Sequence, residues 1–358
     1  MFNKIVFSIV LLFFLGCSNE PVIQRKQRIV SNPFLASAKR VNRAYLSRIL
    51  KTPYKKLSTY GFISGSKLVD RVKKTPPIVL RKVGGWDGEV YTNYQLTAKE
   101  RQLFKRSFAQ LPLWMRRVLK KRLVGFYFIS ENFKGSGMTD WIPGPDGKFY
   151  AYILINKKLL NMNMSEWLSW KERTAYKKRF WWKKIKTEIK INGGRSYSPL
   201  LAILLHEGAH VYDYVKGATP FVGPFLGVLR WKKGLGKKLT PFIRGYWANF
   251  KQPVVSAFKF HGRVCFYGLG KGPQMYFTHA YLVYNQLVHS PYISLYGSMS
   301  WAEDFAEMVC FYHLTQKLKQ PYTISIWQNG KLQKTYAPIK NLRVRNRFPV
   351  IEKLYKDG

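Results

Sequence analysis

The chain has 358 residues, of which 46% are hydrophobic and 16% aromatic. This supply of apolar residues is enough for one large core or two modest ones, which excludes an intrinsically disordered protein. Lysine and arginine number 61 against 18 acidic residues, so the formal net charge is +43. Such a charge predicts anionic partners, namely acidic lipid headgroups, anionic envelope polymers, nucleic acid or an acidic substrate. The alternative is that the basic surface serves only to keep the protein soluble.

The beginning of the chain has the pattern of an export signal. An apolar run over residues 5–15 follows a lysine, is too short to span a bilayer, and leads into Gly16 and Cys17. This order resembles the bacterial lipobox, although Phe14 stands where leucine is usual, and implies that Cys17 carries a lipid. Ser18 is typical of sorting to the outer membrane. We predict an envelope lipoprotein in the outer membrane, facing the periplasm or the cell surface, with plain secretion as the alternative.

Residues 18–77 are basic and polar and end at two prolines. We predict a tether, with a helix over residues 33–50 whose basic face lies on an anionic membrane or cell wall; a solvated linker is the alternative. The folded domain is predicted over residues 78–358. Its three parts are a sheet-containing part (78–195), a helical part that carries the motifs described below (196–320) and a C-terminal hairpin with a tail (321–358).

The sheet-containing part begins with helical spacing over residues 97–108 and 113–122. Residues 124–130 (VGFYFIS) and 149–156 (FYAYILIN) are rich in aromatic and β-branched residues, which predicts two antiparallel neighbouring strands. A basic, Trp-rich helix is predicted over residues 165–190. The fold class that follows is α+β, mainly helical with a small antiparallel sheet.

The helical part contains a well-delimited helix. Ser198 is a suitable N-cap, Pro199 suits the first helical position, and Gly217 is a stop signal. Long loops are then predicted over residues 217–272, followed by helices and a hairpin that turns at Asn329 and Gly330. These last elements are predicted over residues 276–288, 301–319 and 323–336.

The helix that Ser198 and Gly217 delimit carries His206, Glu207 and His210 in the pattern HExxH. Residues at i and i+4 share one face of a helix, so both imidazoles can reach one zinc ion while Glu207 accepts a proton from water. The alternative is a core helix whose polar groups are satisfied without a metal, which is costly for two buried histidines and a glutamate. A catalytic zinc site needs a third protein ligand from elsewhere.

The last predicted helix offers that ligand within the string WAEDFAE. Glu303 could bind the ion, while Glu307, one turn later, accepts the ring N–H of a liganding histidine. Two alternatives stay open. Ser300 and Glu303 fit a capping box, in which the glutamate only bonds its own helix start, and Asp213 could be the third ligand or orient one from behind.

HExxH followed by EDFAE resembles the gluzincin zinc metallopeptidases, and specifically the anthrax-lethal-factor-like group, whose second helix reads ExFxxE or EFFAE. The resemblance covers residues 198–314, and the long separation of its two helices departs from compact gluzincins. It implies a zincin-like fold with one zinc ion. It also implies that His206, His210 and Glu303 are the metal ligands, that Glu207 is the general base, and that Glu307 supports a liganding histidine.

Two further implications come from the same resemblance. Tyr296 lies seven residues before Glu303, where the family has a tyrosine whose hydroxyl faces the reacting carbonyl and stabilises the oxyanion. The strand at residues 149–156 would be the edge strand that pairs with an extended substrate.

Only Cys265 and Cys310 remain if Cys17 carries a lipid. In an oxidising envelope compartment the two thiols could pair, or they could be buried small side chains that lie apart. The three cysteines show no spacing typical of a metal cluster.

The sequence therefore predicts a zinc metallopeptidase of the bacterial cell envelope that hydrolyses protein or peptide substrates, among them the peptides of peptidoglycan. The alternative is a catalytically inactive zincin-fold lipoprotein that binds anionic envelope polymers or peptidoglycan. Nucleic acid is not an expected partner, because no known binding module is present and the chain carries an export signal.

Overall fold

The computed structural model describes residues 56–177, 186–220, 240–254, 258–269 and 272–357. The predicted signal, Cys17 and the helix predicted over residues 33–50 lie outside these ranges. Within them, no helix is both long and apolar enough to cross a membrane.

Helices and short strands alternate along the described part of the chain. The helices are α1 (Pro77–Asp87), α2 (Ala98–Ala109), α3 (Leu113–Arg122), α4 (Met164–Arg173), α5 (Pro199–Lys216), α6 (Ala280–Leu287), α7 (Trp301–Tyr312), α8 (Leu342–Arg345) and α9 (Phe348–Lys356). The strands are β1 (Val72–Lys73), β2 (Asn93–Tyr94), β3 (Leu123–Ile129), β4 (Gly137–Pro143), β5 (Phe149–Asn156), β6 (Tyr176–Lys177), β7 (Thr187–Asn192), β8 (Met275–Tyr276), β9 (Thr323–Gln328) and β10 (Lys331–Tyr336). This mixture of helices and small sheets agrees with the predicted α+β class.

The main sheet differs from the prediction in its strand directions. Its order is β1-β3-β5-β4, with β2 also paired to β3. β3 and β5 are neighbours, but they run parallel, with Phe126 opposite Ile153. The prediction of an antiparallel pair was wrong because it overlooked β4, which lies between them in sequence and reverses the chain direction.

β4 also corrects the predicted edge strand. It pairs antiparallel with β5, with Thr139 opposite Ile153, and among the described strands it pairs with β5 alone. β5 therefore lies inside the sheet, and β4 is an edge strand of its described part. The strand was missed because its sequence, GMTDWIP, contains glycine, aspartate and proline, which are depleted in strands.

Helices cover the two faces of this sheet. One face packs with α2, α3 and α5 into the larger core, which contains Phe126, Ile153 and Leu204. The other face, with Tyr127 and Tyr152, packs against a smaller cluster that includes Val79 of α1. α5 lies between the sheet and the remaining helices. Its apolar residues are consequently buried on nearly every side.

The folded domain begins before the predicted boundary at residue 77. Tyr60 is buried, and Val72 of β1 pairs with Phe126 of the main sheet. The charge of residues 57–73 predicts a tether, but short apolar stretches between the cations bring these residues into the fold.

The remaining sheets are small. β7, β9 and β10 form one of them, and β6 pairs with β8 in another. The hairpin prediction is confirmed, with positive φ at both Asn329 and Gly330. The helix predicted over residues 165–190 is wrong beyond Arg173, since β7 falls within its last residues.

Candidate metal centre

The α5 helix presents the HExxH residues from its middle. Ser198 caps its N-terminus by accepting a hydrogen bond from the backbone N–H of Leu200, and Gly217 ends it with a φ of 74°. Gly208 faces α3, where a side chain would meet the sulfur of Met115 at 2.5 Å. This close packing leaves the opposite face of α5, with both histidines, turned toward α7.

His206, His210 and Glu303 converge on one point. The Nε2 atoms of the two imidazoles lie 3.2 Å apart. Glu303 Oε2 lies 3.1 Å from Nε2 of His206 and 3.5 Å from Nε2 of His210. Tetrahedral coordination with bonds of about 2.0–2.1 Å would place two ligand atoms about 3.3 Å apart. The three side chains could therefore hold a metal ion.

Glu303 reaches the imidazoles, whereas Asp213 bonds Thr219. Ser300 caps α7 by accepting a hydrogen bond from the backbone N–H of Glu303 at 3.3 Å, while the Glu303 carboxylate points at the imidazoles. Asp213 accepts hydrogen bonds from the backbone N–H and the hydroxyl of Thr219, at 2.6 and 2.5 Å. Asp213 thus lies at the C-terminal end of α5, outside the group of three converging ligand atoms.

Glu307 lies behind His206. Its Oε1 is 2.9 Å from Nδ1 of His206, which is ion-pair distance without hydrogen-bond geometry, and a proton on Nδ1 would leave Nε2 free to bind. Two further contacts hold this carboxylate: Nζ of Lys171 donates to Oε1 at 2.8 Å, and the hydroxyl of Ser294 donates to Oε2 at 2.6 Å. The structure thus places the Glu307 carboxylate beside Nδ1 of His206.

The electrostatics of the cluster are those of a site built around positive charge. Burial alone raises the pKa of Glu307, but Lys171 and His206 lower it to about 2 overall. Burial opposes protonation of His206, yet the neighbouring carboxylates of Glu303 and Glu307 raise its pKa to about 10. The carboxylates stay ionised, and the space between them and the imidazoles favours a cation.

Glu207 faces the edge strand. Its Oε2 accepts a hydrogen bond from the hydroxyl of Thr139 at 2.7 Å, and its side chain is almost fully buried. Glu207 thus connects α5, which carries the two imidazoles, to the middle of β4.

Tyr296 lies beside the ligands. Its ring centre is 5.8 Å from that of His206, and the Lys171 ammonium lies 4.2 Å from its ring centre. Phe266 and Tyr267 contact the same ring at centroid distances of 5.0 and 6.2 Å. Tyr296 is therefore held at the site by aromatic and cation–π contacts.

Thr139, Lys171 and Ser294 belong to the site but were not predicted from the sequence. Each is a common residue type outside any motif, and each reaches the site only through the tertiary fold. Cys265 and Cys310 are both buried and unbonded to each other. In comparisons with known proteins, the chain matches no family model, no curated protein and no solved structure.

Proposed function

We propose that this protein is a zinc-dependent metallopeptidase of the bacterial cell envelope, of the gluzincin type and with a zincin-like fold. The observation that carries the proposal is the convergence of His206, His210 and Glu303, whose donor atoms lie 3.1 to 3.5 Å apart. Two imidazoles and one carboxylate are a ligand set of catalytic zinc sites, and three protein ligands leave a coordination position open.

The residues around this point have distinct roles in the proposed reaction. A bound zinc ion would supply Lewis acidity, polarising a peptide carbonyl and making water a stronger acid. Glu207 accepts the proton of the attacking water and passes it to the leaving amine. Tyr296 donates a hydrogen bond to the oxygen that becomes negatively charged. Glu307 holds the ring of His206, and Lys171 keeps Glu307 ionised.

β4 is the strand on which an extended substrate would lie. It is an edge strand of the main sheet, and Thr139 in its middle contacts Glu207. A peptide that pairs with this edge would place its backbone beside the proposed general base. The substrate is a protein or peptide, with peptidoglycan peptides included because an envelope enzyme meets them.

The surface of α2 and α3 favours anionic partners. The two helices expose Lys105, Arg106, Lys120 and Lys121, among other cations, whereas Glu100 is engaged at the capping box of α2. This surface is the observation that supports the second function, an inactive lipoprotein that binds anionic envelope polymers. It equally suits an enzyme held near such polymers, or near a membrane by a lipid on Cys17.

The test uses the full-length protein in detergent. Wild type and Glu207→Gln should each contain one zinc ion per chain, whereas His206→Ala should lose it. Only wild type should cleave substrates in a panel of peptides, proteins and peptidoglycan. His289→Ala, at an exposed histidine, is the matched control and should behave as wild type.

Each departure from these results has a defined meaning. A His206→Ala protein that keeps its zinc contradicts the ligand assignment. Cleavage that persists in Glu207→Gln contradicts the general-base role. Zinc-containing wild type that binds peptidoglycan and cleaves nothing in the panel supports the inactive binding protein instead.

A further inference from the structure

The contact between Thr139 and Glu207 joins the edge strand to the proposed general base. Thr139 lies in the middle of β4, and 9% of its surface is exposed. Its hydroxyl lies 2.7 Å from Oε2 of Glu207 and 3.0 Å from the Glu207 backbone carbonyl. We propose that Thr139 is a positioning residue, which holds one carboxylate oxygen of Glu207 so that the other is aimed at the attacking water. This inference rests on the proposed function.

The two oxygens of Glu207 have different surroundings. Oε2 accepts the Thr139 hydroxyl, whereas Oε1 lies beside Gly137, two residues earlier on the same face of β4. A β-carbon added at Gly137 would lie 2.9 Å from Oε1 and 2.8 Å from the Cγ2 of Ile203. Glycine therefore keeps open the space next to Oε1 that any side chain would fill.

The two oxygens of the Glu207 carboxylate therefore have different roles. Glutamate has three rotatable side-chain bonds, so an unanchored carboxylate would sample several orientations. The hydrogen bond from Thr139 fixes Oε2 and thereby sets the plane of the group. Oε1, on the open side, is left as the atom that accepts the proton.

A second contact keeps the strand at the right distance from α5. The hydroxyl of Tyr214, one turn after His210, donates to the backbone carbonyl of Thr139 at 3.3 Å. Thr139 is thus tied to α5 through its side chain and through its backbone. The spacing between the edge strand and Glu207 then depends on fixed hydrogen bonds rather than on packing alone.

The test compares Thr139→Val, which keeps the shape and removes the hydroxyl, with Thr139→Ser, which keeps the hydroxyl. The matched control is Thr75→Val. Thr75 is also buried in the main sheet region, and its hydroxyl donates to the Phe128 carbonyl at 2.9 Å, far from Glu207 in the chain. The readouts are crystal structures of all four proteins, their zinc content, and kcat and KM on a substrate that wild type cleaves.

In Thr139→Val we expect the Glu207 carboxylate to leave its position, with zinc content unchanged. We expect kcat to fall by about 100-fold at unchanged KM, as for misplacement of a reacting group by about 1 Å. Thr139→Ser should keep the wild-type position of Glu207 and stay within about threefold of the wild-type kcat, since its hydroxyl preserves the hydrogen bond that aims the group. Thr75→Val should lose stability, as after loss of one buried hydrogen bond, and keep its kcat.

The proposal is overturned if Glu207 keeps its position in Thr139→Val, or if Thr139→Ser loses activity to the same extent as Thr139→Val. The crystal structures separate this failure from that of the proposed function. If Glu207 moves in Thr139→Val but wild type hydrolyses nothing, the positioning role stands and the peptidase assignment falls.

Discussion

Glu303 and Asp304 are neighbours in α7 and lie about 100° apart around the helix axis, so their carboxylates point into different surroundings. Asp304 is fully buried and accepts hydrogen bonds from both Nη atoms of Arg347, at 3.0 and 2.6 Å, and from the indole of Trp247 at 2.8 Å. Its cation is part of the protein. Asp304 therefore anchors α7 to the C-terminal helices.

Glu303 faces a different kind of partner. Its side chain is 25% exposed and lies against the imidazoles of His206 and His210. In the metal-free protein the neighbouring carboxylates raise the pKa of His206 to about 10, but an imidazole can release its proton to bind a metal ion, whereas an arginine stays charged. A carboxylate paired with a permanent cation is therefore structural, whereas one that faces imidazoles, which can give up their protons, is where a metal ion can bind.

The largest expected effect is on the Asp304 side. Arg347→Leu leaves Asp304 buried without its cation, which should lower the free energy of unfolding by about 3–5 kcal/mol. Glu303→Gln should change it by less than about 1 kcal/mol in metal-free protein, because that side chain is partly exposed. Urea denaturation in the presence of a chelator measures both values. Equal losses in the two variants would abolish the contrast.

The second prediction concerns zinc itself. Zinc at a free concentration 100 times its dissociation constant should raise the free energy of unfolding of wild type by about 2.7 kcal/mol. Glu303→Gln should lose most of this gain. Glu352→Gln is the control and should keep it, because the Glu352 carboxylate accepts a hydrogen bond from the Tyr312 hydroxyl and does not belong to the group of metal ligands. The same denaturation experiment with and without zinc provides the measurement. A full zinc response in Glu303→Gln would remove this residue from the ligand set.

A third, smaller effect is expected behind the ligands. Glu307→Gln removes the charge that holds His206 from behind, so zinc affinity should fall by about 10- to 100-fold, or about 1.4–2.7 kcal/mol. Competition with a chromophoric chelator at pH 7 measures the change. Unaltered affinity would mean that the charge of Glu307 does not contribute to holding His206 in its binding orientation.

The smallest effect extends the contrast to histidines. His313 has fixed partners for both nitrogens: Nδ1 lies 2.8 Å from the Tyr355 hydroxyl, and Nε2 lies 2.9 Å from the Gln110 carbonyl. Burial lowers the pKa of His313 to about 4, from 6.5. The unfolded chain therefore binds the proton more readily, and stability falls as the pH drops from above 6.5 toward 4.

Between pH 7.5 and 5.5 this histidine should remove about 1.3 kcal/mol of stability. His313→Gln should lack that part of the pH dependence, which is measured by denaturant unfolding of metal-free wild type and variant at both pH values. The same slope in both proteins would show that His313 is not held neutral.

The sequence was sufficient for elements that local signals define. Ser198, Pro199 and Gly217 delimit α5, and Asn329 with Gly330 delimits the hairpin turn, because caps and turns depend on a few adjacent residues. That Glu303 and Glu307 share one face of α7 could also be predicted, since residues at i and i+4 lie on the same side of a helix.

The remainder depends on contacts between distant parts of the chain. Lys171 meets Glu307 across 136 residues, and Thr139 meets Glu207 across 68, so no local pattern indicates either contact. β4 has weak strand propensity and is held by its neighbour β5 rather than by its own residues. The two errors in the predicted sheet, namely the direction of β3 relative to β5 and the choice of edge strand, both followed from overlooking β4.

The central claim is that His206, His210 and Glu303 bind one zinc ion. Anomalous diffraction at the zinc absorption edge, from crystals of the full-length protein, tests it most directly. We predict a single peak with bonds of about 2.0–2.2 Å to both Nε2 atoms and to a carboxylate oxygen of Glu303. A zinc-supplemented crystal without a peak between these three side chains would contradict the claim.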